Sequence, residues 1–388
     1  MDKNAGLRRY NRFFILLLFI LLFSITGMQH TAALQGTENA AGDYIVQTSP
    51  DWSIMKKDIK VKGIYMTGNT VALDSRFKSL VELVNTTELN AVVIDVKDDE
   101  GLMTYSSQVP NVVFAGANKN VRIKDIDAVM KTLKANDIYP IARIVTFKDR
   151  RAGDKFAQLA VKSKNGSIWR DKHGTSWLNP YNKEAWDYVV SIAEEAVTKG
   201  FKEIQFDYVR FPTDGNVKMI DYGASAQNTT KAQAIAEFLA YARQRLNSKG
   251  VVVSADVFGL VTTATDDMYI GQQLEPLAQS VDVLCPMVYP SHYGKGNYGV
   301  AEPDFEPYKI VHRSISEGKA RIDSLNASNK ARLRPWLQDF TASYLPRYQH
   351  YGPAQVRAQM KATYDSGVSE WILWNAGNRY TKGALNKE

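Results

Sequence analysis

Glu203-Ile204-Gln205-Phe206-Asp207-Tyr208-Val209-Arg210-Phe211-Pro212 is the stretch on which the reading of this chain turns. Ile204 and Phe206 read as the apolar positions of a buried strand. An acid, a phenol and a guanidinium then follow within four residues, at Asp207, Tyr208 and Arg210. Pro212 cannot donate to a sheet ladder, so the strand is expected to end near Phe211. Charge gathered where a buried strand runs out is how a β/α barrel builds a site, because its catalytic groups sit at the C-terminal ends of the strands. A structural ion pair between Asp207 and Arg210 at the rim is the plainer alternative.

Outward from this stretch, an apolar strand, a polar loop and an amphipathic helix recur from Lys60 onward. The pattern predicts eight strands, at 61–67, 91–97, 139–147, 203–211, 251–258, 281–289, 333–340 and 370–375. Helices are expected at 75–89, 123–136, 183–199, 231–247 and 353–366, with apolar residues at helical spacing such as Phe77, Leu80, Val81 and Val84. Parallel neighbours need crossover connections, so the alternation implies a parallel sheet. The expected fold is α/β, a single (β/α)8 TIM barrel over 60–388. An open doubly wound sheet would want a Gly-rich phosphate loop, and no G-x-G-x-x-G occurs.

The N-terminus is a separate matter. Lys3, Arg8, Arg9 and Arg12 precede an apolar run from Phe13 to Ile25, and Thr31-Ala32-Ala33 supplies small residues. Residues 1–33 therefore read as a signal peptide or an uncleaved N-terminal membrane anchor, and 34–59 as a linker. A secreted or cell-surface location is expected. The segment carries much of the formal charge of +7. No basic run or basic-aromatic interleaving points to nucleic acid. Cys285 is the only cysteine, so no internal disulfide can form. A monomer is expected.

The strand ends carry the chemistry. Asp95 and Lys97 close strand 2, Arg143 lies in strand 3, and Asp256 closes strand 5. Tyr289 ends strand 6 with His292 beyond it, Asp339 falls in strand 7, and Trp374 in strand 8. Trp371 and Trp374 are three apart and face opposite sides of a strand, so at most one lines the mouth. An insertion at 149–181 holds Trp177 among amides and charges, which suits either a sugar cleft or a simple lid. Acids on several strands facing one mouth are costly to bury without purpose. Paired carboxylates with aromatic platforms indicate cleavage of a glycosidic bond. There is no G-x-S-x-G, and the five histidines (His30, His173, His292, His312 and His350) show no H-x-x-x-H spacing, so neither a metal nor a cofactor is expected.

Phe206-Asp207-Tyr208-Val209-Arg210-Phe211-Pro212, Trp177-Leu178-Asn179-Pro180-Tyr181 and Asp95-Val96-Lys97-Asp98 resemble the bacterial “putative glycosyl hydrolase domain” family from about Lys60 to Asn378. The resemblance implies the barrel, glycosidase chemistry and a polysaccharide or oligosaccharide substrate, here a bacterial extracellular or cell-wall polysaccharide. By analogy with α-amylase-like barrels, Asp207 is expected as nucleophile, Asp256 as acid/base and Asp339 as transition-state stabiliser. Asp256 stands where that clan has Glu. Met287-Val288-Tyr289 and Trp374 look similar to chitinase-like barrels, but their strand-4 run of acids is missing. Arg210, Lys97, Asp95, Arg143, Tyr208, Trp177, Tyr289, His292 and Trp374 are the expected substrate-binding set. Asp207 and Asp256 on adjacent strands favour a retaining mechanism. A catalytically inactive barrel that binds wall glycans is the rival reading.

Overall fold

A computed structural model describes residues 59–386. The leader or anchor expected over 1–33, and the linker up to residue 58, lie outside the described residues. Eight parallel strands close a barrel. They are β1 (Lys62–Met66), β2 (Ala91–Lys97), β3 (Tyr139–Val145), β4 (Glu203–Asp207), β5 (Val252–Phe258), β6 (Val283–Val288), β7 and β8 (Trp371–Trp374). β7 comes in two pieces, Arg332–Leu333 and Trp336–Gln338. β1 pairs with both β2 and β8, and Trp336 of β7 pairs with Met287 of β6 to complete the ring.

Helices follow the strands in order: α1 (Asp74–Asn85), α2 (Ile126–Ala135), α3 (Lys183–Thr198), α4 (Lys231–Asn247), α5 (Leu274–Ser280), α6 (Pro307–Asp323) and α7 (Pro353–Asp365). Five of the seven, α7 with Pro353 among them, begin on side-chain or capping-box contacts that absorb orphan amides or on a proline at the first turn. Asp125 accepts from Ala128 at α2, Asn182 from Glu184 at α3, Thr230 forms a capping box with Gln233 at α4, and Pro307 opens α6. Among the described residues no helix is long and apolar enough to cross a membrane.

Alternation along the strands makes two cores. Ile204 and Phe206 of β4 face the helices with most of the apolar side chains. A smaller cluster, including Tyr65, Val93, Ile141, Cys285, Trp336 and Ile372, fills the inside of the barrel. Glu203, Gln205 and Asp207 share the other face of β4 and are all buried. They stack from the base of the barrel to its mouth. At the base, Arg334 donates to Glu203 at 2.7 Å and to Glu370 at 3.0 Å, and Ser254 donates to Glu203 at 2.5 Å. Halfway up, Gln205 donates to Cys285 Sγ at 3.2 Å.

Several boundaries fall short of expectation, among them the helix that ends at Asn85 and the strand that ends at Val145, and two have a visible cause. β4 stops at Asp207, four residues before Phe211, because Tyr208 takes a left-handed conformation with φ 49°. The turn, not Pro212, ends the strand. β7 is interrupted at Pro335, which has no amide to give to the ladder.

The base triad yields a stability prediction. Arg334→Met leaves Glu203 and Glu370 buried without their shared counter-charge, and should cost about 3–5 kcal/mol. Urea denaturation at neutral pH would show it as a lowered midpoint with an unchanged slope. A midpoint equal to that of the wild type would mean the triad contributes nothing.

Candidate active site

The mouth of the barrel holds a cavity of about 450 Å³. Arg143, Asp207, Tyr208, Arg210, Asp256, Tyr289, His292 and Trp374 line it, all of them expected from sequence. Phe258, Gly259, Leu260, Met287, Tyr293 and Trp336 complete the wall. These were legible only as neighbours of the strand ends. Gly259 is there because of a close approach: a Cβ would sit 2.3 Å from Tyr293 Oη and 2.6 Å from Met287 O.

Four expected residues do not line the cavity: Asp95, described below, and three that are turned away for a geometric reason. Lys97 follows a register shift in β2, where Asp95 pairs with Arg143 but Lys97 pairs with Ile144. The extra residue turns Lys97 to the outer face. There its ammonium donates to Asp149 at 2.6 Å with both side chains fully buried. Asp339 lies three residues after the inward-facing Trp336, hence on the opposite side. Its carboxylate accepts from Thr381 N at 2.9 Å and Thr381 Oγ1 at 2.5 Å, which ties down the C-terminal segment. Trp177 is 1% exposed and cannot offer a face to a sugar. Its indole donates to Asp171 at 3.1 Å, and it packs behind Tyr208. The insertion is thus a folded wall, with a helix at Arg150–Lys155 and a strand at Lys162–Ser163 paired to Ile220–Asp221.

Asp95 stands one step behind the cavity. Its Oδ1 accepts from Arg143 Nη1 at 2.6 Å and its Oδ2 from Tyr65 at 2.5 Å. Arg143 turns its other edge to Asp207: Nε donates to Oδ2 at 2.9 Å, and Nη2 donates to the same oxygen. Tyr65, which sequence reasoning did not single out, stacks on Trp374 with ring centroids 4.3 Å apart. Of the tryptophan pair, Trp371 packs in the outer core and Trp374 lines the mouth.

The two acids in the cavity differ in surroundings. Asp207 Oδ1 accepts from the Tyr208 amide at 2.6 Å, while its Oδ2 is held by Arg143. Asp256 Oδ1 accepts from Trp336 Nε1 at 2.7 Å, and its Oδ2 has no partner among the described residues. Asp256 is 2% exposed. Burial pushes its pKa well above the ordinary carboxylate range, and the nearby Asp207 charge pushes it further. The Trp336 hydrogen bond and Arg143 pull the other way and do not reverse it. Burial opposes the charge on Arg143 as well, but Asp207 and Asp95 more than offset it and hold the guanidinium firmly protonated. One acid carrying a proton beside a paired carboxylate, under an aromatic wall, can protonate a leaving oxygen while its neighbour meets a developing cation.

Fold and site together define a glycoside-hydrolase-like TIM barrel. The chain belongs to the family described as “Putative glycosyl hydrolase domain”, which it matches over residues 63–380. No curated protein matches it. Among solved structures, the glycoside hydrolase domain of PgaB (BpsB) from Bordetella bronchiseptica is similar, with 14% identity, TM-score 0.59, and coverage of 82% of this chain and 95% of that one. The C-terminal domain of a “putative chitinase” from Desulfitobacterium hafniense DCB-2 matches at 12% identity and TM-score 0.52, covering 84% and 96%. At these identities the two likenesses speak for the fold alone. A hypothetical protein from Ruminiclostridium thermocellum ATCC 27405 is 48% identical over 50% of this chain and 97% of its own, with TM-score 0.46.

The raised pKa of Asp256 has a signed consequence for stability. Between the ordinary carboxylate pKa and the raised value, the folded protein holds a proton that the unfolded chain has lost. Stability from this group is therefore complete below that window and declines as pH rises through it. Asp256→Asn should remove that decline, seen as a flatter melting temperature against pH than in the wild type. Superimposable profiles would show that Asp256 is not protonated in the fold.

Proposed function

We propose that this protein is a glycoside hydrolase that cleaves O-glycosidic bonds in a bacterial extracellular or cell-wall polysaccharide, with retention of anomeric configuration. The observation that carries the proposal is the contrast between Asp207, paired with the Arg143 guanidinium, and Asp256 beside it, whose pKa burial raises. The register supports the pairing. Phe206 of β4 pairs with Ala255 of β5, so the next residues along, Asp207 and Asp256, are level on adjacent strands. Neighbouring strands are about 4.7–4.9 Å apart. Retaining enzymes use carboxyls roughly 5–5.5 Å apart, whereas inverting enzymes need room for a water.

The steps follow from the atoms available. Asp207 attacks the anomeric carbon, and Arg143 holds it aimed. Asp256 delivers its proton to the leaving glycosidic oxygen from Oδ2, the oxygen that Trp336 leaves free. The C–O bond breaks and a glycosyl ester to Asp207 forms. Asp256, now a carboxylate, takes a proton from a water that attacks the same carbon and releases Asp207. Trp374 and Phe258, both half-buried at the wall, offer apolar faces to the sugar. The apolar run behind Arg8, Arg9 and Arg12 supports export to the cell surface or beyond, where such a polymer is found.

The test is hydrolysis of a polysaccharide panel, read as reducing-sugar release. Asp207→Asn should abolish release. Asp256→Asn should lower kcat by about 10²–10⁴, the usual contribution of a general acid. NMR of the first product should show the anomeric configuration of the substrate. An inverted first product would overturn retention. Glycans that are retained but never cleaved by the wild type would make the barrel a binding module.

A further inference from the structure

Arg210 is not used by the chemistry above. It lines the cavity that holds Asp207 and Asp256 and is 9% exposed. Its Nη1 donates to the Phe211 carbonyl at 3.0 Å and to Thr213 Oγ1 at 3.5 Å. The guanidinium carbon lies 5.1 Å from the Trp177 and Tyr208 ring centroids and 5.0 Å from that of Phe258. These contacts fix the plane of the group without neutralising it. Among the described residues no carboxylate bonds to it. Asp207 is taken by Arg143. Asp171 is taken by the Trp177 indole and the His173 and Thr175 amides, and Asp214 pairs with Lys172 at 3.4 Å. These three acids, with Tyr208, act on Arg210 only at range.

The contrast with Arg143 is instructive. Both guanidinium groups are buried at one mouth. In Arg143 the Nε and Nη2 edge is filled by Asp207. In Arg210 the same two nitrogens make no hydrogen bond, and neither is fully buried. Burial without a close counter-ion holds Arg210 below the ordinary guanidinium pKa, whereas Arg143, with two acids, stands above it. Arginine stays charged even so. A sugar entering the cavity strips water from that edge. A neutral hydroxyl would leave the charge uncompensated, which is costly. A planar carboxylate matches the two parallel N–H groups.

We infer that Arg210 is an anion-recognising subsite of the cavity, and that the glycan it selects carries a carboxylate, as a uronic acid residue does. The inference rests on the proposal that a glycan occupies this cavity, and it names the substrate class.

Ligand-observed NMR titrations with D-glucuronate and its neutral counterpart D-glucose test it, with glucose 6-phosphate and glucose 6-sulfate as further arms. The wild type should bind glucuronate roughly tenfold or more tightly than glucose, as a charge-assisted pair would give. The gap should close in Arg210→Gln and narrow in Arg210→Lys, which keeps the charge but not the fork. Equal affinity for the two sugars, or no binding of either to the wild type, overturns the inference without any variant having to fold. A phosphate or sulfate ester preferred over the carboxylate overturns the uronate assignment. The two readings can fail separately. A uronate preference without hydrolysis of any glycan removes the hydrolase and keeps the subsite. Hydrolysis of neutral glycans with no uronate preference does the reverse.

Discussion

The site depends on one buried guanidinium. Arg143 is placed by β3 inside the mouth of the barrel, where an unpaired cation would be very costly. Its two edges are satisfied by Asp95 from β2 and Asp207 from β4, so the pairing ties three consecutive strand ends together. The consequences pass from residue to residue. Arg143 pairs with Asp207 and fixes its Oδ2. Asp207 lies near Asp256, and its charge adds to the burial that raises the Asp256 pKa. The unequal surroundings of the two acids are therefore a property of the whole cluster. Tyr65 supports it from behind, donating to Asp95 and stacking on Trp374.

Much of this was legible because strands have a period of two. Asp207 follows Glu203 and Gln205 on one face of β4, and the helix-facing Ile204 and Phe206 announce the other. The same parity excludes Asp339: counting three from Trp336 puts it outside, a signal that was present and outweighed by analogy with other barrels. Lys97 is a different case. Parity from Asp95 puts it inside, and only the register shift in β2 reverses it. The apolar run through this strand gives no sign of an extra residue. Nor does any residue preference mark Tyr208 for a left-handed turn, since a large aromatic is an uncommon choice there.

Other omissions have simpler causes. α6 buries Ile310, Val311, Ile315 and Ile322, which is a helical spacing, but Lys309, Arg313, Glu317 and Lys319 between them dilute it. By type Trp177 is an aromatic on a long loop, but its buried environment decides its role. The insertion is folded against the barrel, so its tryptophans serve packing, and the aromatic wall of the cavity falls to strand-end residues such as Trp374 and Phe258.

The short arm of the acid on β5 can now be seen as part of the electrostatics. A glutamic acid there would reach one methylene farther, out towards the solvent in the mouth. Solvation favours the charged form, so that extension would lower the pKa. Aspartic acid keeps the carboxyl down at the level of the Trp336 indole, 2.7 Å from its nitrogen, where burial is nearly complete. Reach is exchanged for proton affinity. In the proposed mechanism the leaving oxygen comes down to the acid, and the sugar sits deep against the floor of the barrel. Depth also brings the substrate past Arg210 and Phe258 on the wall. A substituent that satisfies the Arg210 fork would hold the ring at that depth. On this geometry, the short acid and the unpaired guanidinium belong to one mode of binding.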